Sequence, residues 1–297
     1  MMTQACSSPI LHSAFLILHL SQGAFTLIHV SDFHKVYRNT VAVAGLSFEV
    51  GPGDVLGLVG PNGAGKTTTL RALVGIIPPT QGHLSVAGFD VAADAIAAKQ
   101  QLAYVPDDPK LFDALTVREH IEFTAATYRL PDDQTEARAE ELLRQFDLTE
   151  KRDTLAQELS RGMRQKVAVI CAYLHNPRVI LFDEPLTGLD PRGIRTLKDS
   201  IVQRAQSGAA VIISSHLLSL VEDLCTHLLI LDRGKRLFFG RMEEARTAFA
   251  GGVEASLEEV FFRATESPAT PEILEDNTPV ADKPVAKLPL RPGEGRG

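Results

Sequence analysis

Apolar and polar positions follow two periods along the middle of the chain. Short β-rich runs occur at 26–30 (TLIHV), 46–50 (LSFEV) and 55–60 (VLGLVG), punctuated by Gly51, Pro52 and Gly53. A helical pattern starts at Gly65 and runs to about Val74, where Gly75 and the Pro78-Pro79 pair end it. YVP at 104–106 closes another short strand. From about 114 to 175 the spacing is helical, with apolar residues such as Leu142, Leu143, Phe146 and Leu148. Strand signals return at 179–182 (VILF), 210–214 (AVIIS) and 228–232 (LLILD). Apolar strands separated by helical stretches predict an α/β fold, a mainly parallel sheet with flanking helices. The helical stretch at about 114–175 interrupts that alternation like an inserted subdomain.

The two ends read differently. Residues 10–20 (ILHSAFLILHL) are an apolar run of 11 residues, short of the roughly 20 that span a bilayer. With no Lys or Arg before it, the positive region of a signal peptide is missing. Residues 1–23 therefore read as a poorly ordered extension, with a weak membrane anchor as the alternative. From Ser267 to Gly297 the chain carries six prolines, many charges and no apolar periodicity. Such a segment cannot bury enough surface to offset its ordering entropy and reads as a disordered tail. One compact unit remains between them, with a helical segment over 241–266 at its end.

Composition narrows the classes. The chain has 297 residues, 44% hydrophobic, and a net charge of −7, which is globular and not disordered or collagenous. A mildly acidic balance gives no support for a nucleic-acid grip, which needs a basic face. Cys6, Cys171 and Cys225 lie far apart, against both a disulfide framework and a zinc cluster.

The chemistry begins after the strand VLGLV. Gly60-Pro61-Asn62-Gly63-Ala64-Gly65-Lys66-Thr67-Thr68 fits GxxxxGK[ST] between a strand and a helix. Glycines let successive N–H groups turn inward as an anion nest at a helix N-terminus. Lys66 would reach the β- and γ-phosphates, Thr67 would place its hydroxyl on Mg²⁺, and Thr68 would support the α/β-phosphates. A phosphate loop needs a second metal anchor and a means of activating water. The apolar strand 179–182 ends in Asp183 and Glu184, with Asp183 117 residues after Lys66. Asp183 suits the Mg²⁺ shell and Glu184 the attacking water.

These motifs resemble those of the ATP-binding-cassette (ABC) ATPases over nearly all of 24–240. Leu159-Ser160-Arg161-Gly162-Met163, followed by Arg164-Gln165, resembles the signature motif, with Ser160 23 residues before Asp183. It departs from the commonest LSGGQ at two places, as in exporter-like (ABC-2 type) members whose ATPase pairs with a separate permease. The resemblance implies that Ser160, Arg161, Gly162 and Met163 complete the ATP site of an opposing subunit. It implies a D-loop at Leu189-Asp190, with Asp190 crossing the dimer interface, and a switch histidine at His216. It also implies adenine stacking on Tyr37, for which Phe33 is the competing aromatic. The glutamine that the resemblance implies after YVP, a Mg²⁺ ligand and relay to the permease, is replaced by Asp107, followed by Asp108. Asp107 is a candidate Mg²⁺ ligand, a harder one than an amide, though it adds negative charge beside a triphosphate. SLEEVFF, with Glu258 to Phe262, resembles the short helix that closes many exporter-like cassettes.

The implied fold is a P-loop NTPase core with an antiparallel β-subdomain and an inserted α-helical subdomain. The implied protein is an ATPase using ATP and Mg²⁺, dimeric with another copy or a related ATPase subunit, and peripheral on the cytoplasmic face of the cell membrane. Its permease is a separate integral membrane subunit, and the direction is export. The alternatives are a soluble ABC ATPase acting on ribosomes or DNA and a slow-turnover nucleotide-dependent regulator. The transported substrate is not written in this chain.

Overall fold

The computed structural model describes residues 26–250 and 255–266. The extension over 1–23 and the Pro-rich tail over 267–297 lie outside the described residues. A four-stranded antiparallel sheet opens the described chain, in the order β2-β1-β4-β5. Its strands are β1 (Ile28–Tyr37), β2 (Thr40–Val50), β4 (Gln81–Val86) and β5 (Phe89–Asp90). The register of β1 shifts between Val30 and Phe33. Gly82 crosses this bulge at φ 91°, where a Cβ would lie 2.1 Å from the Asp32 carbonyl oxygen, so only glycine fits.

The second sheet has six strands in the order β10-β9-β3-β8-β7-β6. They are β3 (Val55–Val59), β6 (Leu102–Val105), β7 (Val179–Asp183), β8 (Ala210–Ser214), β9 (His227–Asp232) and β10 (Lys235–Arg241). All neighbours run parallel except the β9–β10 hairpin. The inner strands are buried on both faces, which is why they read as unbroken apolar runs. Ile180, Phe182, Val211, Ile213, Leu228 and Ile230 join one core; Val179, Leu181, Ala210, Ile212, Leu229 and Leu231 join the other.

Helices cover this sheet. α1 (Lys66–Leu73) follows β3, and α2 (Ala95–Gln100) precedes β6. Between β6 and β7 lie α3 (Val117–Tyr128), α4 (Asp132–Gln145) and α5 (Arg161–Leu174). α6 (Pro191–Gln206), α7 (Leu218–Leu224), α8 (Met242–Ala250) and α9 (Leu257–Glu266) complete the order. Among the described residues no helix is long and apolar enough to cross a membrane. α3 starts with a reciprocal capping box: Glu119 N–H donates to Thr116 Oγ1, and Thr116 N–H donates to a Glu119 carboxylate oxygen.

Three strands and one helix were not legible as periodic runs. β4 begins with three exposed residues, β5 has only two residues, and β10 carries Lys235, Arg236 and Arg241 at the sheet edge. α2 is a six-residue helix, too short for a period to show. β1 extends past TLIHV through Ser31-Asp32, where Ser31 pairs with His83 of β4 and Asp32 N–H donates to Ser47 Oγ, so the polar pair keeps its backbone bonded at the bulge.

An aromatic line ties the helices between β6 and β7 to the sheet. Phe146 lies 6.3 Å from Tyr173, which meets Phe182 edge-on at 6.4 Å. The Tyr173 hydroxyl hydrogen-bonds Ser200 Oγ at 3.1 Å, and the Arg204 guanidinium stacks 4.5 Å over its ring. Phe146 is fully buried, so Phe146→Ala is expected to cost about 3–5 kcal/mol, read as a lower urea midpoint with unchanged slope.

His175 follows α5 and stacks on Tyr128 at 3.8 Å. Its Nε2 donates to the Leu102 carbonyl, and its Nδ1 is buried without a partner. Burial pushes its pKa down to about 4, the Leu102 carbonyl opposing this and Arg138 adding to it. Between that value and the ordinary 6.5 the unfolded chain binds the extra proton, so this residue makes stability fall as pH drops from 6.5 towards 4. His175→Gln is expected to flatten the loss of thermal stability across that window; an unchanged slope contradicts this role.

Candidate nucleotide-binding and catalytic site

Parallel strands β6, β7, β8 and β3 all finish at one edge of the sheet, the edge at which α/β sheets receive ligands. β3 passes straight into the phosphate loop. Gly63 and Gly65 take φ 80° and 106°, and a Cβ on Gly65 would come within 2.8 Å of the Ala42 carbonyl oxygen. The loop therefore turns sharply into α1, pointing that helix's free N–H groups at the edge. Lys66 Nζ spans the loop, donating to the Gly60 carbonyl at 2.7 Å and the Pro61 carbonyl at 3.2 Å. Lys66 is 8% exposed. Burial lowers its pKa, while the Glu184 and Asp183 carboxylates oppose that shift and favour the ammonium.

Asp183 ends β7 and is buried. Thr67 Oγ1 donates to its Oδ2 at 3.0 Å, and the Tyr104 hydroxyl reaches the same oxygen at 3.5 Å. Burial, with Asp183 next, pushes the Tyr104 phenol up to about 12, so it remains a donor. Glu184 sits at φ 51°, a left-handed conformation costly for a side chain of this size. It is held by its N–H donating to the Ser214 carbonyl at 2.8 Å. Its carboxylate accepts from Ser215 Oγ at 3.2 Å and from His216 N–H at 3.0 Å, and lies 2.8 Å from His216 Nδ1. The structure thus brings Lys66, Thr67, Asp183, Glu184 and His216 together from three strand ends.

A second grouping surrounds the start of α5. Ser160 caps the helix, its Oγ accepting from Met163 N–H at 3.3 Å. Gly162 abuts the loop after β7: a Cβ there would lie 2.4 Å from the Gly188 carbonyl oxygen. Arg161 Nη2 lies 3.3 Å from Asp107 Oδ1. Asp190 caps α6, accepting from Gly193 N–H at 3.1 Å. Tyr37 stands at the β1–β2 hairpin, half exposed with the Lys35 ammonium 5.0 Å from its ring, whereas Phe33 is fully buried. Of the two aromatics, Tyr37 is the one free to stack on a ligand.

Residues 43–187 match the family model described as ABC transporter. The chain is 34% identical over 244 residues to the ABC-type transporter ATP-binding protein EcsA of Bacillus subtilis, covering 82% of this chain and 98% of that one. The chain belongs to the ABC transporter ATP-binding family. The Nod factor export ATP-binding protein I of Cupriavidus metallidurans is 32% identical, with 73% of this chain and 72% of that one covered. A solved ATP-binding subunit of an ABC transporter superposes at TM-score 0.78 and 33% identity, covering 81% of this chain and all of that one. This ABC subunit is of the exporter-like type, with the P-loop NTPase α/β fold. It is an ATP-hydrolysing transporter subunit. Subunits of this family generally pair with membrane permeases and dimerise.

Sequence reasoning passed over Tyr104, Ser215 and Gly188 in this ABC subunit. Tyr104 lay inside the YVP strand signal and Ser215 beside His216, but neither spacing says which carboxylate a hydroxyl will meet. Gly188 lies between Glu184 and Asp190 and counts because Gly162 packs on its backbone. The Thr67 hydroxyl and Asp183 carboxylate are hard oxygen donors one hydrogen bond apart. Such a pair suits Mg²⁺, which takes one or two carboxylates and completes its shell with phosphate oxygens and water.

Lys66→Ala removes the loop's cation and its two carbonyl contacts. Losing charge-assisted hydrogen bonds to phosphate is expected to weaken MgATP binding by about ten- to a hundredfold, measured by calorimetric titration.

Proposed function

We propose that this subunit binds MgATP on Gly60–Thr68, pairs head to tail with a second cassette, and hydrolyses ATP to power export through a separate permease. It sits on the cytoplasmic face of the membrane through that permease. The second cassette is another copy or a related ATPase subunit. Export is supported by the exporter-like type and by the export role that the Cupriavidus metallidurans relative carries in its name. The observation that carries the hydrolytic reading is the Glu184 carboxylate, fixed by Ser215 and His216 beside Lys66 and the Thr67–Asp183 pair.

In this reading Tyr37 stacks on adenine. The N–H groups from Gly60, Asn62, Gly63, Ala64 and Gly65 to Lys66 wrap the phosphates, with Pro61 shaping the turn. Thr68 supports the α/β-phosphates, and the Lys66 ammonium moves from the Gly60 and Pro61 carbonyls to the β- and γ-phosphate oxygens. Thr67 and Asp183 would hold Mg²⁺, with Asp107 a candidate further ligand. When bound, Mg²⁺ supplies positive charge that offsets the triphosphate. Glu184 accepts a proton from the attacking water as it bonds to the γ-phosphorus. His216, held through Glu184, steadies the γ-phosphate, and the bond to the ADP oxygen breaks in line. Ser160, Arg161, Gly162 and Met163 face the γ-phosphate of the opposing subunit, where the α5 N-terminus adds positive dipole, and Asp190 crosses between subunits.

Glu184→Gln keeps the size and hydrogen-bond capacity of the side chain but removes the base. Its turnover is expected to fall about 10²- to 10⁴-fold, while ATP accumulates a dimer visible by light scattering. Phosphate release at the unsubstituted rate contradicts the assignment.

A further inference from the structure

The loop leaving β6 carries three carboxylates, and a cation meets each. Arg161 Nη2 lies 3.3 Å from Asp107 Oδ1, Lys110 pairs with Asp108, and Arg164 Nη2 lies 3.2 Å from Asp113 Oδ1. Arg161 and Arg164 both come from the first turn of α5. β6 runs parallel to β7 with Val105 opposite Phe182, so Asp107 leaves the sheet at the same edge as Asp183 and Glu184. A third carboxylate at an edge that receives a triphosphate is repulsive unless it is neutralised.

Arg161 is shaped to supply that neutralisation. Its Cβ, Cγ and Cδ lie 3.1–3.5 Å from the point where a Cβ on Gly188 would sit. The stem thus crosses bare backbone at Gly188 while the guanidinium reaches Asp107. Gly188 itself takes φ 81°, so a larger residue there is strained and would displace the arginine. Both positions depart from the family pattern: Asp107 stands for an amide and Arg161 for a glycine.

We propose that Arg161 is a positioning residue for Asp107, and that the two are a matched exchange. Arg161 holds the Asp107 carboxylate and cancels its charge, so that MgATP meets no unpaired anion where other cassettes present a neutral amide. This inference rests on the reading of the strand edge as the MgATP site. The pair is half exposed on both sides, and an exposed pair adds little to folding stability. Its effect belongs in nucleotide affinity.

The test is a double-mutant cycle on the full-length chain, with the Kd for MgATP by titration beside kcat and KM. Arg161→Met is expected to raise Kd and KM about threefold or more, with Tm little changed. Adding Asp107→Asn is expected to return both constants to within about twofold of the unsubstituted chain. Arg161→Lys, which keeps the charge, is expected to retain most of the affinity, and salt is expected to shrink the Arg161→Met deficit. A deficit that persists in the double variant overturns the proposal and puts the arginine's action on the nucleotide itself. Equal constants for Arg161→Met and the unsubstituted chain overturn it as well. MgATP binding without hydrolysis contradicts only the hydrolytic reading, and the cycle is then read from Kd. Absence of any MgATP binding contradicts the site itself.

Discussion

The parallel register of β3, β8 and β7 is the constraint on which the site depends. Leu58 and Asp183 both face Ser214 across their shared ladders. Parallel strands in register end together, so residues remote in sequence reach one edge without any loop having to fold across the molecule. The segments after these strands differ: a glycine-rich turn into α1, a left-handed Glu184, and the Ser215-His216 pair. Each departs from ordinary backbone or leaves polar groups at a buried rim, and the doubly covered sheet supplies the rigidity to hold them.

Charge at that edge is arranged in opposing pairs. Burial works against the Lys66 ammonium, and the carboxylates of Glu184 and Asp183 hold it in place. Those same carboxylates would repel a triphosphate, which is why a divalent cation and a lysine belong to the same chemistry. The first turn of α5 continues the pattern outward, setting Arg161 and Arg164 against the acids of the loop after β6. Helix α5 is thereby bonded to the loop after β6 and packed on the loop after β7, so displacement of either loop bears directly on α5.

Much of this was legible before any coordinate. The buried strands announced themselves because both faces are apolar, and the phosphate loop because its glycines serve a backbone shape that few other residues permit. Asp183 and Glu184 stood out through their position at the end of VILF, and the structure joins Asp183 to Thr67. Edge strands did not show, since β4 and β10 draw stability from pairing more than from burial. The Asp107–Arg161 pair was illegible for a related reason. Each residue read alone as a departure from a motif, and only the fold sets residues 54 positions apart side by side. Ser215 and Tyr104 were hidden because a hydroxyl's partner is fixed by rotamer and packing, which spacing does not encode.

Coupling to a membrane partner is the proposal with the widest consequence, because it is what would turn the chain's chemistry into transport. Its direct test is recovery of a tagged chain from its native cell in mild detergent, with and without ATP, and identification of its companions by mass spectrometry. The predicted result is a multi-helix membrane protein in near-equal amount. Recovery of ribosomal or DNA-repair proteins, with no membrane partner in either condition, would contradict it.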